Sequence, residues 1–334
     1  MTADDRPVLL SVVLATRSVV SGIGNATEAA GLHRVWTTEF QGRDAIVRAV
    51  ALGAVTTRVQ VGSGIAYAFT RLPPALAAAA LDAAEITGGR FTLGLGAGTR
   101  GLRRAYGAEF DPPATRLAEL VTELRTTWAQ PSWARPVPPP PIAIAGVNAA
   151  MLRTAAHHGD RVVLHPLCLA QDHLNERVLP AIDVGRSRRD GTDVAVSAWC
   201  IGSVDEDEHR AWARARRQLA FYLSTPGYRD VVAGTPFEAS ATALREEFAS
   251  ATAPDWAELE RHVPDELLEQ VAVAGTAEQV RSGVRRMQKR LAAAGIDELV
   301  LQTVDADDEA GTAAAVHELV SSIAPLTADL EVTR

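Results

Sequence analysis

The chain has 334 residues, of which 47% are hydrophobic and 5% aromatic, and its formal net charge is −8. This length suits two domains or one large α/β barrel. The excess of acidic residues argues against a nucleic-acid partner, because proteins bind phosphate backbones through clustered Lys and Arg. Cys168 and Cys200 cannot form a disulfide framework and are expected to be buried thiols in a reducing cytoplasm. Acids precede the first apolar run, and no uninterrupted apolar run reaches the roughly 18 residues of a membrane span, so we expect neither a signal peptide nor a membrane partner.

Short runs rich in Val, Ile, Leu and Thr, each bounded by turn residues, predict eight strands. The runs begin at Val8, Arg34, Arg58, Arg90, Pro140, Asp160, Asp193 and Asp297. Helix-compatible segments rather than hairpin turns separate them. Apolar strands that alternate with helices predict a parallel sheet covered on both faces, and a count of eight predicts a closed (β/α)8 TIM barrel, with a doubly wound sheet as the alternative.

The spacing of the last two strands predicts a helical insertion. Approximately residues 205–275, between strands seven and eight, carry several helical patterns, and we expect them to belong to one domain that spans residues 1–334. Helix ends are marked elsewhere: Asn148 is a predicted N-cap, and Thr276 with Gln279 is a predicted capping box.

A glycine run on the fourth predicted strand spells the dinucleotide-binding pattern G-x-G-x-x-G at Gly96, Gly98 and Gly101. A Rossmann domain would place this pattern on its first strand and an acid about 20 residues later, at the end of the next strand. Here a helical segment, ATRLAELVTELR, lies at that distance. We therefore expect these glycines to allow the backbone to approach a ligand at a barrel mouth.

Barrel enzymes place their functional residues at the carboxyl ends of the strands. This rule selects Thr38 and Glu39, residues 64–67, residues 96–100, residues 146–149, His165 and Trp199. Gly146 and Val147 lead directly into the helix capped by Asn148, so free backbone amides there predict a phosphate site, with an ordinary turn as the alternative. The eight histidines show no metal-ligand spacing, and no metal is expected.

The segment from Gly62 to Gly98, GSGIAYAFTRLPPALAAAALDAAEITGGRFTLGLGAG, resembles the signature of the luciferase-like monooxygenase superfamily, whose members bind FMN or the deazaflavin coenzyme F420. The phrases FDPPATRLAELVTELRTTW and AFYLSTPGY, the latter from Ala220 to Tyr228, resemble an F420-dependent oxidoreductase subgroup. The resemblance covers nearly the whole chain. It implies a TIM barrel with an insertion before strand eight.

The resemblance also implies a site. It places a non-prolyl cis peptide bond between Gly64 and Ile65, against the ring of the cofactor. The residues that it implies for cofactor binding are Thr38, Ser63, Gly64, Ile65, Ala66, Gly98, Thr99, Arg116, Gly146, Val147, Asn148 and Ala149. Glu39 or His165 is the expected catalytic proton donor, and Tyr67, Trp199, Phe221 and Tyr222 are expected to line the substrate space. Ala66, Tyr67 and Ala68 replace the T-N-P of many deazaflavin enzymes, so the substrate is not implied.

We therefore expect an oxidoreductase that transfers a hydride between coenzyme F420 and a small organic molecule, in a homodimer or larger homo-oligomer. The alternatives are an FMN-dependent monooxygenase that uses reduced flavin and O2, and a non-catalytic barrel that only binds flavin.

Overall fold

A computed structural model describes residues 7–16, 22–108, 112–306 and 308–327. The strands within these ranges are β1 (Leu9–Leu14), β2 (Arg34–Thr37), β3 (Gln60–Ser63), β4 (Ala66–Tyr67), β5 (Phe91–Gly96), β6 (Ile142–Gly146), β7 (Arg161–Leu164), β8 (Ala195–Val204), β9 (Ala272–Gly275) and β10 (Glu298–Gln302). β10 pairs in parallel with both β8 and β1, so eight parallel strands close into a barrel. Each barrel strand overlaps one of the predicted runs. The predicted (β/α)8 barrel is confirmed, and the doubly wound sheet is wrong.

Helices follow the strands and cover the barrel. They are α1 (Ile23–Ala29), α2 (Ala45–Gly53), α3 (Pro73–Ile86), α4 (Arg100–Ala105), α5 (Pro113–Trp128), α6 (Ala149–His158), α7 (Gln171–His173), α8 (Leu179–Arg186), α9 (Glu208–Ser224), α10 (Arg229–Val232), α11 (Glu238–Ser250), α12 (Trp256–Glu260), α13 (Asp265–Val271), α14 (Ala277–Ala293) and α15 (Glu309–Ile323). Asn148 caps α6, and Thr276 with Gln279 forms the capping box of α14, as predicted. None of the helices in the described ranges is long and apolar enough to cross a membrane.

The third strand is interrupted before the mouth of the barrel. A cis peptide bond joins Gly64 to Ile65, which confirms that prediction, and the chain then resumes as β4, which pairs with β5. A Cβ atom at Gly94 would lie 1.8 Å from the carbonyl oxygen of Ser63. Glycine is therefore required on β5 where the interrupted strand presses against it.

Helices α9 to α13 occupy most of the predicted insertion, residues 205–275. Its last four residues differ from the helical expectation, because Ala272–Gly275 form β9, which pairs with the carboxyl half of β8 from Ile201 to Val204. The run is only four residues long and follows a helix directly. A sequence pattern of that length does not distinguish a strand from the end of a helix.

The barrel interior is filled in layers, because alternate residues of each strand point inward. The lowest layer surrounds the Glu298 carboxylate, which accepts hydrogen bonds from Ser11 and Ser197 and pairs with Arg34 and Arg161 at 3.0 Å. The next layer is apolar and consists of Val13, Trp36, Ala143, Val163, Trp199 and Val300. This layer is the floor of the barrel mouth.

Candidate active site

In and just above the apolar layer, four side chains carry solvent-shielded polar atoms that have no hydrogen-bond partner. They are Thr38 Oγ1, His165 Nε2, Trp199 Nε1 and Gln302 Nε2. Thr38, His165 and Gln302 each lie two residues beyond an inward-facing residue of β2, β7 or β10, so strand alternation directs them into the mouth. Shielded polar groups are nearly always hydrogen-bonded in folded proteins. Their concentration at one end of the barrel indicates a site for a polar ligand.

His165 follows β7 and is held as a neutral imidazole. Its Nδ1 accepts a hydrogen bond from the backbone N–H of Leu167 at 3.2 Å, which leaves the ring proton on Nε2. Burial lowers the pKa of His165 to about 3. The ring packs against Tyr222 and Tyr228, with centroids 4.2 and 4.4 Å away. His165 is therefore a fixed, uncharged hydrogen-bond donor near neutral pH.

Tyr222 on α9 joins the long segment after β8 to the barrel. Its hydroxyl donates to Oε1 of Gln302 at 2.6 Å, which orients the amide and leaves Nε2 of Gln302 as a shielded donor. Burial raises the pKa of Tyr222 above its usual range, and burial raises that of Tyr228 to about 12. Phe221, beside Tyr222, is 50% exposed and contacts Trp256. An aromatic wall thus runs from the mouth towards the surface.

Glu39 is buried, and one of its two carboxylate oxygens accepts hydrogen bonds from neighbours. Oε2 accepts from Arg71 at 2.9 Å and from the backbone N–H of Tyr67 at 3.4 Å. Burial raises the pKa of Glu39, although the hydrogen bond and charge of Arg71 oppose the rise. Arg71 also pairs with Asp44, the N-cap of α2, at 2.5 Å. This ion triad of Glu39, Arg71 and Asp44 fastens the ends of β2 and β4 together.

The cis bulge lies directly over the floor of the mouth. A Cβ atom at Gly64 would lie 2.8 Å from the Trp199 ring, so only glycine fits between the ring and the bulge. Ser63 does not present its hydroxyl to the mouth, because that group both donates to and accepts from the Gly94 backbone. Ile65 and Ala66 continue the bulge, and Ala66 pairs with Leu95. We conclude that Trp199 supports the bulge and that Ser63 anchors it.

The loop after β5 forms a second wall. Gly98 has a left-handed φ of 67°, and Thr99 caps α4 by accepting from the Leu102 N–H at 3.3 Å. Tyr67 packs edge-on against Tyr106 at 5.8 Å, and its hydroxyl donates to the Glu39 carbonyl at 2.9 Å. Only a narrow crevice lies between Tyr67, Gly98 and their neighbours. The glycine pattern thus shapes this wall, as expected for a barrel mouth.

Residues 146–149 place the start of α6 at the carboxyl end of β6. The Asn148 side chain accepts from the Met151 N–H at 3.0 Å, and Asn148 and Ala149 are exposed. Gly146 is buried and Val147 half-buried. Arg116 lies on the first turn of α5, where it pairs with Glu119 at 3.3 Å. The α6 terminus is therefore an accessible, positively polarised helix end.

The sequence analysis missed three residues that build the mouth, namely Arg71, Tyr228 and Gln302. Gln302 carried a detectable signal, because it is a polar side chain that follows Glu298 and Val300 at period two on an apolar strand. Arg71 and Tyr228 lie within the phrases that resemble the family, but nothing in the sequence marked them as residues of the mouth, because their partners lie far away in the sequence. Within the described residues, no three His, Cys, Asp or Glu side chains cluster as metal ligands do.

A family model described as luciferase-like monooxygenase matches residues 19–294. The chain belongs to this family. The resemblance recognised in the sequence is therefore confirmed, and a protein of the luciferase-like monooxygenase family is an oxidoreductase.

The chain is similar over most of its length to several proteins of known name or structure. A 5,10-methylenetetrahydromethanopterin reductase of Archaeoglobus fulgidus is 27% identical over 304 residues, which are 82% of this chain and 86% of the relative. The structure of the coenzyme F420-dependent tetrahydromethanopterin reductase from Methanopyrus kandleri has a TM-score of 0.72 at 18% identity and covers 95% of this chain and 99% of its own. The oxygenating constituent of 3,6-diketocamphane monooxygenase from Pseudomonas putida, in complex with FMN, has a TM-score of 0.58 at 14% identity, with 95% and 98% covered.

Proposed function

We propose that this luciferase-like protein transfers a hydride between coenzyme F420 and a small organic substrate at the barrel mouth. The observation that carries the proposal is the set of four shielded, unpartnered polar atoms around the cis bulge. The similarity to reductases, one of them named as F420-dependent, supports F420 over FMN. FMN is the alternative, because a structural neighbour holds it.

The residues of the mouth fit a planar, polar cofactor. Thr38, Trp199 and Gln302 offer hydrogen-bonding atoms that lack protein partners, and the Gly64–Ile65 bulge supplies a backbone surface against which a ring packs. Gly98 and Thr99 lie along the second wall. The turn into α6, residues 146–149, is exposed at Asn148 and Ala149 and is suited to a phosphate because its backbone amides and dipole favour an anion. Arg116 is proposed to add a cation there.

When bound, coenzyme F420 supplies or accepts the hydride. We assign the hydrogen-bond donor for the substrate to His165 rather than Glu39. His165 presents Nε2–H without a protein partner, whereas Oε2 of the Glu39 carboxylate already accepts from Arg71 and from the Tyr67 N–H. Because His165 is neutral, it polarises a substrate oxygen by hydrogen bonding, and its fixed Nδ1 contact keeps the donor oriented. Tyr67, Phe221 and Tyr222 enclose the substrate and exclude water.

The experiment is a pair of titrations of the purified protein, one with F420 and one with FMN, followed by cofactor fluorescence. The proposal predicts saturable binding of F420 at micromolar concentration and much weaker binding of FMN. Tighter FMN binding, together with O2 consumption on adding reduced FMN, would instead establish a flavin monooxygenase. Binding of neither cofactor would overturn both functions.

We also propose that the protein forms a homodimer through the face of α2 and α3. Exposed large apolar side chains concentrate there: Val47, Val55, Leu72 and Ile86 are 66%, 58%, 76% and 57% exposed. Ala51 is the other exposed residue of α2, so the outer face of that helix carries no charge. Such a patch suits a second copy of itself, because a two-fold interface pairs identical surfaces.

Light scattering after size exclusion tests this interface. The native protein is expected at twice the chain mass, and Val47→Glu at the chain mass. Val184→Glu, which changes an exposed valine on α8, is the control and should leave the dimer intact. A native monomer, or a dimer that tolerates Val47→Glu, would contradict the proposal.

A further inference from the structure

A second concave site lies on the flank of the barrel, where α9, α13 and α14 meet β9. Its volume is about 460 Å³, within the range of small-molecule pockets. We call it the flank groove and define it by Trp212, Glu269, Val273, Arg286, Met287 and Arg290. None of the residues assigned to the barrel mouth lines it.

One face of α14 forms the long wall of the flank groove. Gln279, Gly283, Met287 and Arg290 recur at helical spacing on this wall, which spans about 16 Å at 1.5 Å per residue. Hydrogen bonds connect both ends of this wall to neighbouring elements. Gln279 donates to the Glu208 carboxylate at one end, and Nη2 of Arg290 donates to the carbonyls of Gln270 and Leu169 at the other. These hydrogen bonds fix the two ends of the α14 wall.

The charges in the flank groove are unbalanced. No carboxylate among the described residues lies within ion-pair distance of Arg286 or Arg290, and Nε of Arg290 is shielded without any partner. Burial lowers the pKa of Arg290, so its charge is poorly compensated by solvent. Glu269 is the one acid among the lining residues, which leaves two cations and one anion there. Nη1 of Arg286 donates to the Ser282 hydroxyl, and its guanidinium is exposed to solvent. The local excess of positive charge, on a chain of net charge −8, favours an anionic occupant.

The remaining wall is apolar. Trp212 and Met287 offer an aromatic ring and a thioether, and Val273 packs so closely on α14 that a Cβ atom at Gly283 would lie 2.7 Å from it. Guanidinium groups match the planar geometry of carboxylates and bind them through paired hydrogen bonds. We propose that the flank groove binds an organic carboxylate with an aromatic or aliphatic body, its carboxylate held by Arg286 and Arg290 and its body lying on Trp212 and Met287.

Calorimetric titration with 2-naphthoate tests this site. We expect saturable binding to the native protein and at least tenfold weaker binding to Arg286→Gln. Arg285→Gln removes the same charge from the adjacent exposed position outside the groove and should bind within twofold of the native protein. Circular dichroism confirms that each variant is folded.

Three results would overturn the proposal. They are absence of 2-naphthoate binding at millimolar concentration, equal affinity of the two arginine variants, and loss of binding as protein concentration rises, which would mean that a second copy fills the groove.

A fourth titration, in the presence of saturating F420, separates this site from the barrel mouth. Unchanged 2-naphthoate affinity supports the flank groove, and competition would place the ligand at the mouth instead.

Discussion

His165 shows how a single residue acquires its chemistry from its surroundings. The sequence places it after a strand, which is a common position for a functional residue in a barrel. Its neutrality and its tautomer depend on burial by Tyr222 and Tyr228 and on the N–H of Leu167. The two tyrosines come from a segment more than 50 residues away, so only the fold reveals this environment.

The depressed pKa of His165 predicts a pH-dependent stability. Between its ordinary value of 6.5 and its folded value of about 3, the unfolded chain binds a proton at this position and the folded chain does not. The free energy of unfolding therefore falls as the pH decreases through this window, by about 1.4 kcal/mol per pH unit for one proton. Urea unfolding of the native protein and His165→Gln between pH 6.5 and 5 measures the slope, which should be shallower in the variant.

His209→Gln is the control for this titration, because His209 is exposed on α9. Its slope should match that of the native protein. If His165→Gln also matched the native slope, His165 would be protonated in the folded protein, and its role as a neutral donor would be excluded.

At the scale of elements, variants of the ion triad test whether Glu39 has a catalytic or a structural role. Glu39→Gln retains an oxygen that accepts from Arg71 and from the Tyr67 N–H, so we expect a loss of stability below about 1 kcal/mol and most of the turnover retained. Arg71→Met leaves Glu39 buried without its cation and should cost about 3 kcal/mol. Urea unfolding and steady-state kinetics of both variants check this.

Loss of turnover by 10²-fold or more in Glu39→Gln, with stability intact, would instead make Glu39 the proton donor. His165→Gln, measured in the same assay, is the comparison that should lose turnover. The two variants together therefore separate the two residues that the sequence analysis proposed for one role.

The elements were predictable from the sequence to different degrees. The eight barrel strands were found because each combines an apolar run with turn residues, and parallel order followed from the intervening helices. β9 was not found, because Ala272–Gly275 is too short for a periodic pattern. The cis bond at Gly64–Ile65 was expected only from the family resemblance, since no local propensity indicates a cis bond before isoleucine.

At the scale of the molecule, the Glu298 network links the strands that close the barrel. Burial would raise the pKa of Glu298, but Arg34 and Arg161 outweigh it and lower the pKa to about 2. The donors come from β1, β2, β7 and β8, whereas Glu298 lies on β10. A single sequence shows that each of these strands carries a polar residue. It does not show that these residues pair with one another, because they lie far apart along the chain.

Glu298→Gln should therefore destabilise the whole barrel. The variant leaves the buried Arg34 and the half-buried Arg161 without an anion, and we expect a loss of about 3–5 kcal/mol in the free energy of unfolding. Glu318→Gln, on the exposed face of α15, removes the same charge and should change stability by less than about 0.5 kcal/mol. Equal stability of the two variants would show that the network does not hold the barrel closed.

The central claim is that unpartnered polar atoms at the barrel mouth are ligands of a deazaflavin cofactor, and Thr38→Val tests it most directly. Valine has nearly the same shape as threonine but lacks Oγ1, which is shielded and has no protein partner. Without cofactor, removal of such an atom should maintain or raise the melting temperature, because no protein hydrogen bond is lost.

The decisive measurement is the dissociation constant of F420 for the native protein, for Thr38→Val, and for Thr122→Val, an exposed control on α5. We predict that Thr38→Val binds F420 about tenfold more weakly, which corresponds to about 1.4 kcal/mol, while Thr122→Val binds it as tightly as the native protein does. F420 binding by Thr38→Val as tight as that of the native protein, with the same melting temperature, would contradict the account.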